Sequence, residues 1–379
     1  MKKVAIITLN GYYNYGNRLQ NFALQEVVKS LGFNVETIIN ANKPLQIKNS
    51  GLISQAKKIR NKSLIEIIKK INARIKLVVF KSENEKNELA RTKIFMEFTQ
   101  NYIKETTFSI SENNIPNDLS DSYDYFITGS DQVWNPDYLY DSSINFLTFA
   151  EKHKRIAFSP SFGVSEIKPE HVENYKEWIS GMHKLSVRED AGAKIIKDLT
   201  GREAPVLVDP TLLITKEKWL SIDKEAANKP KGKYLLTYFL GGVPNNYKGQ
   251  IKNIVKENNL EVINLGEIRE KATYRTGPSE FIDYVNSCSI FCTDSFHGVV
   301  FSILMGKPFI VYERVGGSSM YSRINTLLDK FDLHSRKAEN IKSNNDALNI
   351  DFTDVAPILE AEHKKALDYL KNALNVKDA

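Results

Sequence analysis

The chain of 379 residues holds only two cysteines, and none of its apolar runs approaches the ~20 residues that span a bilayer. Its opening, MKKVAIITLN, lacks the long apolar stretch and small-residue cleavage site of a secretory leader, so a cytoplasmic protein is expected. Cys288 and Cys292 are spaced wrongly for a redox pair and have no neighbouring ligands. They read as small buried hydrophobes of a reduced compartment, and no metal site is expected. There is no internal repeat and no low-complexity tract. Aromatic or helix-turn-helix signatures of nucleic-acid binding are also missing, so no nucleic-acid partner is expected.

What is present is an ordinary globular composition, 42% hydrophobic and 26% charged, in a chain long enough for two cores of roughly 150 to 200 residues each. The net charge of +6 is unevenly spread. Residues 43–104 carry 15 Lys and Arg against 5 Asp and Glu, while the rest of the chain carries 37 against 41. Within that segment Leu64, Ile65, Ile68, Ile71, Ile75, Val78 and Val79 recur at helical spacing, which predicts one or two long basic amphipathic helices. Such a face is either solvated or laid against an anionic membrane surface, with Lys69, Lys70, Arg74 and Lys76 facing the headgroups.

Outside this segment the pattern is that of a parallel sheet. Val4 to Leu9 has the length of a buried strand, a Gly/Asn/Tyr loop follows, and Leu19, Phe22, Ala23, Val27 and Leu31 mark a helix ending at Gly32, before a second strand from Asn34 to Ile39. Apolar runs at 125–129, 155–159, 184–188 and 204–209 each lead into small and polar residues. After a polar linker at 222–233 the alternation restarts, with strands expected at 234–240, 260–265, 289–293 and 308–312 and helices around 251–257, from Pro278 and from Gly298. The expected architecture is α/β: a first Rossmann-like domain over 1–222 with a basic helical insertion at about 43–104, a second over 233–345, and a helical segment over 350–379 that packs back across them.

Three loops carry the polar chemistry. Between the first strand and helix, Gly11 and Gly16 imitate a phosphate loop, but Arg18 and Leu19 replace its Lys and Ser/Thr, so triphosphate binding does not follow. What remains is a helix N-terminus flanked by Asn14, Gly16, Asn17 and Gln20, suited to a sugar hydroxyl or phosphate. Ser130, Asp131, Gln132 and Trp134 combine polar groups with an indole, either a carbohydrate platform or a structural turn around a buried Trp. The densest loop, Thr293-Asp294-Ser295-Phe296-His297-Gly298, presents a histidine at the start of a short helix that runs to Gly306 and Lys307. Arg314 and Arg323 downstream, and Arg188 upstream, can join Lys307 in a cationic cleft.

Taken in order, NYGNRLQNFALQ, ITGSDQVWN, FSPSFG, SVRED, VLVDPTLL and TDSFHGVVFSILMGKPF followed by SRINTLL make the chain resemble the polysaccharide pyruvyl transferases over nearly its whole length, least in the basic segment. The resemblance implies a GT-B-like fold of two Rossmann-like domains with a cleft between them. It also implies transfer of a pyruvyl group from phosphoenolpyruvate, as co-substrate with no bound cofactor, to a sugar as a ketal in cell-surface polysaccharide synthesis. On this basis His297 is the candidate acid, and Arg188, Ser295, Gly298, Lys307, Arg314 and Arg323 would hold the donor. The acceptor, with or without a lipid link at the inner membrane face, would meet Asn14, Gly16, Asn17, Gln20, Ser130, Asp131, Gln132 and Trp134. Some members carry Arg-Leu-His where this chain has Ser295-Phe296-His297, so the missing charge would come from Arg323, Arg314 or Arg188.

Two alternatives stay open. A glycosyltransferase with a nucleotide-sugar donor would use the same architecture and needs acidic residues for a ribose, for which Glu267 and Glu280 are the candidates. A non-catalytic assembly protein would keep the fold and dock through the basic helices, a reading that an intact His297 opposes.

Overall fold

A computed structural model of the chain describes residues 1–41, 64–139, 142–316 and 321–376, with side chains described throughout except at 64–82 and 138–139. In chain order the elements that build the molecule are β1 (Lys3–Ile7), α1 (Tyr15–Ser30), β2 (Asn34–Asn40), α2 (Leu64–Tyr102), β3 (Glu105–Ile110), β4 (Tyr125–Thr128), β5 (Arg155–Ala157), α3 (Asp190–Thr200), β6 (Tyr234–Tyr238), α4 (Asn245–Asn258), β7 (Glu261–Leu265), α5 (Pro278–Ser287), β8 (Ile290–Thr293), α6 (Phe296–Met305), β9 (Phe309–Val311), α7 (Tyr321–Phe331) and α8 (Val355–Ala373).

The strands form two parallel sheets, ordered β3-β2-β1-β4-β5 and β7-β6-β8-β9. Both are the doubly wound arrangement that the alternation of apolar runs and helical patterns implies, one for each of two Rossmann-like domains. In each sheet the strand order reverses at one place, between β1 and β4 in the first and between β6 and β8 in the second. Loops diverge at such switch points and leave a crevice at the carboxyl ends of the strands.

Two expected strands are reduced to single bridges: Lys184 pairs with Ile156, and Val187 with Val206. Pro205 denies that last segment an N–H for a regular ladder. In their place the first sheet gains β3 at its edge, which the half-polar run Glu-Thr-Thr-Phe-Ser-Ile does not advertise.

One hydrophobic cluster runs through both domains, from Val4 and Leu19 through Phe281 and Phe301 to Leu370. α8 packs back on the first domain as expected. Tyr369 donates to the Ala157 carbonyl at 2.8 Å, and His363 Nε2 lies 3.0 Å from the Leu213 carbonyl. The described part of the basic region is a 39-residue helix from Leu64, followed by the start of β3. Its carboxyl half ties the domains together: Arg91 bonds the Tyr13 carbonyl (3.3 Å) and Tyr15 hydroxyl (3.2 Å) on one side and the Tyr274 carbonyl on the other. Residues 43–63, and the basic face of Lys69, Lys70, Arg74 and Lys76, lie outside the described residues, so the membrane-surface expectation is not addressed by the structure. Among the described residues no helix is long and apolar enough to cross a membrane.

Candidate active site at the domain junction

α1 starts because Asn14 accepts the Asn17 N–H at 3.4 Å, the usual service of an Asn at a helix cap. Its first turn points at the crevice of the first sheet and also touches the second domain. A methyl group on Gly16 would lie 2.1 Å from Nδ1 of His297, so this glycine is required by the imidazole's close approach rather than by a turn. α6 is capped in turn by Ser295, whose hydroxyl accepts from the Gly298 N–H at 3.4 Å. The helix begins at Phe296, which puts His297 inside the first turn, not in the loop before it.

Around His297 lies a buried network of ions. Its Nε2 is 3.5 Å from Asp209 Oδ2. Arg188 bridges two carboxylates, with Nη1 2.6 Å from Asp209 Oδ2 and Nη2 3.2 Å from Asp131 Oδ1, and its guanidinium sits 4.2 Å over the Phe296 ring. Asp131 also accepts from Asn17 Nδ2 at 2.6 Å and lies 3.9 Å from Arg323 Nη1. Asp209 is further held by Thr211 through its N–H (3.1 Å) and hydroxyl (2.7 Å). Burial alone would raise both carboxyls, but it is outweighed. Arg188, His297 and Arg323 hold Asp131 below its usual range, and His297, Arg188 and Thr211 hold Asp209 far below. Burial and the like charge of Arg188 bring Arg323 down to about 10, with Asp131 and Glu189 opposing them. Glu189 moves the other way: burial raises it despite Arg188 and Arg323 nearby.

The structure gathers His297, Arg188, Arg323, Asp131, Asn17 and Gly16 at one place although they come from both domains. Arg314 stands at the same edge beyond β9, with Nη2 3.2 Å from the Asp294 carbonyl, while Asp294 accepts the Leu240 and Gly241 N–H groups across the second switch point at 2.7 and 2.8 Å.

Other expected residues serve differently. Trp134 is fully buried, stacked 4.9 Å from Phe146 with its indole N–H on the Asn145 carbonyl, so it is core and offers no sugar platform. Gln20 accepts the Ser130 N–H and donates to Thr8, Ser130 Oγ lies 2.8 Å from Asp209 Oδ2, and Gln132 accepts from Asn135. These three buried side chains brace the β4 loop from within. Lys307 follows α6 at its far end, about 15 Å from His297 at 1.5 Å per residue, close to Cys288 before β8, and does not join the cleft. Glu280 accepts the Gly277 N–H and pairs with Lys224, and Glu267 accepts the Arg269 N–H, so neither waits for a ribose.

Sequence reasoning passed over Asp209 and Glu189 as functional residues. The available signal was positional: each is an acid at the end of an apolar run, in Val208-Asp209-Pro210 and Arg188-Glu189-Asp190.

The family model for polysaccharide pyruvyl transferases matches residues 14–314, a span that holds every residue of this network except Arg323. No curated protein matches the chain. Among solved structures the chain is similar to a UDP-GlcNAc 2-epimerase from Neisseria meningitidis bound to UDP-GlcNAc, at 10% identity over 99% of this chain and 98% of that one, with a TM-score of 0.44. It is also similar to a UDP-glucosyltransferase from Polygonum tinctorium, at 10% identity over 99% of each chain and a TM-score of 0.41.

Proposed function

The chain belongs to the polysaccharide pyruvyl transferase family and is a transferase, and from that premise we propose that it moves the pyruvyl group of phosphoenolpyruvate onto two hydroxyls of a sugar, closing a ketal. What carries the reading is the meeting of His297, at the N-terminus of α6, with Asp209 of the other domain, with Arg323 facing Asp131 of the same network and Arg314 held at Asp294 just before that helix. Phosphoenolpyruvate bears a phosphate and a carboxylate, and fixed guanidinium groups and helix N–H groups are what such a ligand needs.

The chemistry balances with this chain's own groups. His297 gives a proton to the methylene carbon, which becomes a methyl group, and positive charge develops at the neighbouring carbon. A sugar hydroxyl adds there and its proton restores the imidazole. The carbon–oxygen bond to phosphate breaks, a second hydroxyl adds, and its proton leaves with the phosphate. Arg323 and Arg314 stabilise the departing charge. Asp131 and Asp209 stay ionised throughout and keep Arg188 in place, so Arg188 acts as the strut of the site and Arg323 with Arg314 as its anion-binding side. Among the described residues there is no group of three or more His, Cys, Asp or Glu able to hold a metal ion. The acceptor is a cell-surface polysaccharide precursor, lipid-linked or nucleotide-linked.

The test is to incubate the protein with phosphoenolpyruvate and a panel of lipid-linked and nucleotide-linked sugars, following phosphate release and the mass of the acceptor. Phosphate release matched by a pyruvyl ketal on the acceptor is expected. Consumption of a nucleotide sugar with no use of phosphoenolpyruvate would overturn the reading in favour of glycosyl transfer.

A further inference from the structure

We infer that Asp209 is the positioning residue of His297: reaching across the domain junction, its carboxylate accepts from Nε2–H and leaves Nδ1, beside Gly16, as the nitrogen that exchanges a proton with substrate. The inference rests on the reading of His297 as the proton donor. His297 Nε2 is buried and has no hydrogen-bond partner among the described residues, and the carboxylate oxygen it faces is Asp209 Oδ2, 3.5 Å away and one small turn of the ring from accepting its proton.

That oxygen is a fixed point. Thr211 holds the other carboxylate oxygen through two contacts, and Arg188 Nη1 lies 2.6 Å from Oδ2 itself. Ser130 Oγ has one proton and two acceptors, Asp209 Oδ2 at 2.8 Å and the Ser159 carbonyl at 2.9 Å. When it turns to Ser159, a lone pair of Oδ2 is released for the imidazole. A neutral imidazole donates from one nitrogen and accepts at the other, so the partner of one decides the role of the other.

The ring is also confined. Gly16 packs against its Nδ1 edge, where a methyl group would lie within 2.6 Å of Cε1 as well, and Phe296 stands edge-on at 5.3 Å. Gly16 and Asp209 belong to the first domain and His297 to the second, so the working tautomer exists only when the two are packed together.

The measurement is a long-range proton–nitrogen NMR spectrum of the full chain labelled with ¹⁵N-histidine, with the His297 signals assigned by their loss in His297→Gln. The expected result is a ring that carries a proton at Nε2. A ring protonated at Nδ1 alone would overturn the inference, and this reading of the unmutated protein holds however the variants fold. Asp209→Asn is expected to mix the tautomers and lower kcat roughly 10²- to 10⁴-fold with little change in KM for phosphoenolpyruvate. An Asp209→Asn protein with the original tautomer and kcat would also overturn it. Gly16→Ala, which leaves the Thr211, Arg188 and Ser130 contacts of Asp209 in place, is expected to displace the ring and reduce kcat, and an Ala variant with the original tautomer and kcat would overturn the inference. Should phosphoenolpyruvate prove not to be the donor, the Nε2–H tautomer would still uphold the positioning role, and only the assigned reaction would fall.

Discussion

Arg188 and Arg323 approach the same carboxylate from opposite domains, and their surroundings differ. Arg188, from the first domain, is locked between Asp131 and Asp209 at 3.2 and 2.6 Å and stacks on Phe296. Burial tends to lower its pKa, but Asp209, Asp131 and Glu189 raise it on balance. Arg323, from the second domain, stands 3.9 Å from Asp131 and is lowered to about 10 by burial and by Arg188. At Arg188 the pull of the carboxylates outweighs burial, whereas at Arg323 burial and the like charge of Arg188 outweigh the pull of Asp131 and Glu189. On the proposed reading, the first domain contributes a framework of paired charges, and the second contributes the groups that meet the ligand.

The comparison breaks first at His297, the residue of the second domain that faces Asp209 and Gly16 of the first. His297→Gln is expected to lower kcat about 10²- to 10⁴-fold, measured as phosphate released from phosphoenolpyruvate in the presence of acceptor, with an unchanged melting transition. Activity at the original level would return His297 to a packing role and remove the distinction between the domains.

Arg188→Ala tests the framework. It leaves two buried carboxylates without their cation, and breaking a buried pair in this way costs about 3–5 kcal/mol. Carboxyls whose folded-state pKa is depressed add stability above the unfolded value of about 3.9, and that stability is lost as pH falls through the lower folded value. The difference in Tm between the original and Arg188→Ala should thus be full at pH 7 and shrink as the pH drops below about 4. A pH-independent difference would mean that the guanidinium stabilises by packing on Phe296 alone.

Arg323→Ala should do the reverse, raising KM for phosphoenolpyruvate about 10- to 100-fold, the value of one charge-assisted hydrogen bond, with a small change in Tm. If Arg323→Ala unfolded the protein while Arg188→Ala raised KM, the two roles would have to be exchanged.

Much of this arrangement was legible in the residues, and the exceptions have physical causes. Uninterrupted apolar strands such as Ala5-Ile6-Ile7 and Ile290-Phe291-Cys292 leave little choice but a parallel sheet covered on both faces. Pro278 at the first turn of α5 and Gly306 after α6 mark their ends in the sequence. Which residues meet is another matter. Asp131, Asp209 and His297 are brought together by the packing of the two sheets, and no local pattern encodes a distance across a domain junction. Trp134 shows the converse: a polar loop beside an indole resembles a sugar site, yet Phe146, twelve residues later, claims the ring for the core. Lys307 is near His297 in the sequence but not in space, because a helix lies between them.

The smallest effect concerns Glu189, the member of the framework that gains nothing from being charged. One carboxylate oxygen accepts from Ser161 Oγ at 3.0 Å and from the N–H groups of Phe162 and Gly163 at 2.8 and 3.2 Å, while the other is buried with no hydrogen-bond partner among the described residues. Burial raises its pKa even against the pull of Arg188 and Arg323. The sign is opposite to that of Asp209: below the unfolded value of about 4.3 the neutral carboxyl costs the fold nothing, and the penalty grows as pH rises from there toward the folded value. Glu189→Gln keeps the accepting oxygen and removes the charge. It should match the original protein in Tm near pH 4 and exceed it increasingly toward pH 8, by on the order of 1 kcal/mol, the cost of a buried group left unsatisfied. A variant less stable at pH 8 than at pH 4, relative to the original, would show that Glu189 is needed as an anion. It would then count with Asp131 and Asp209 among the charges that hold the arginines.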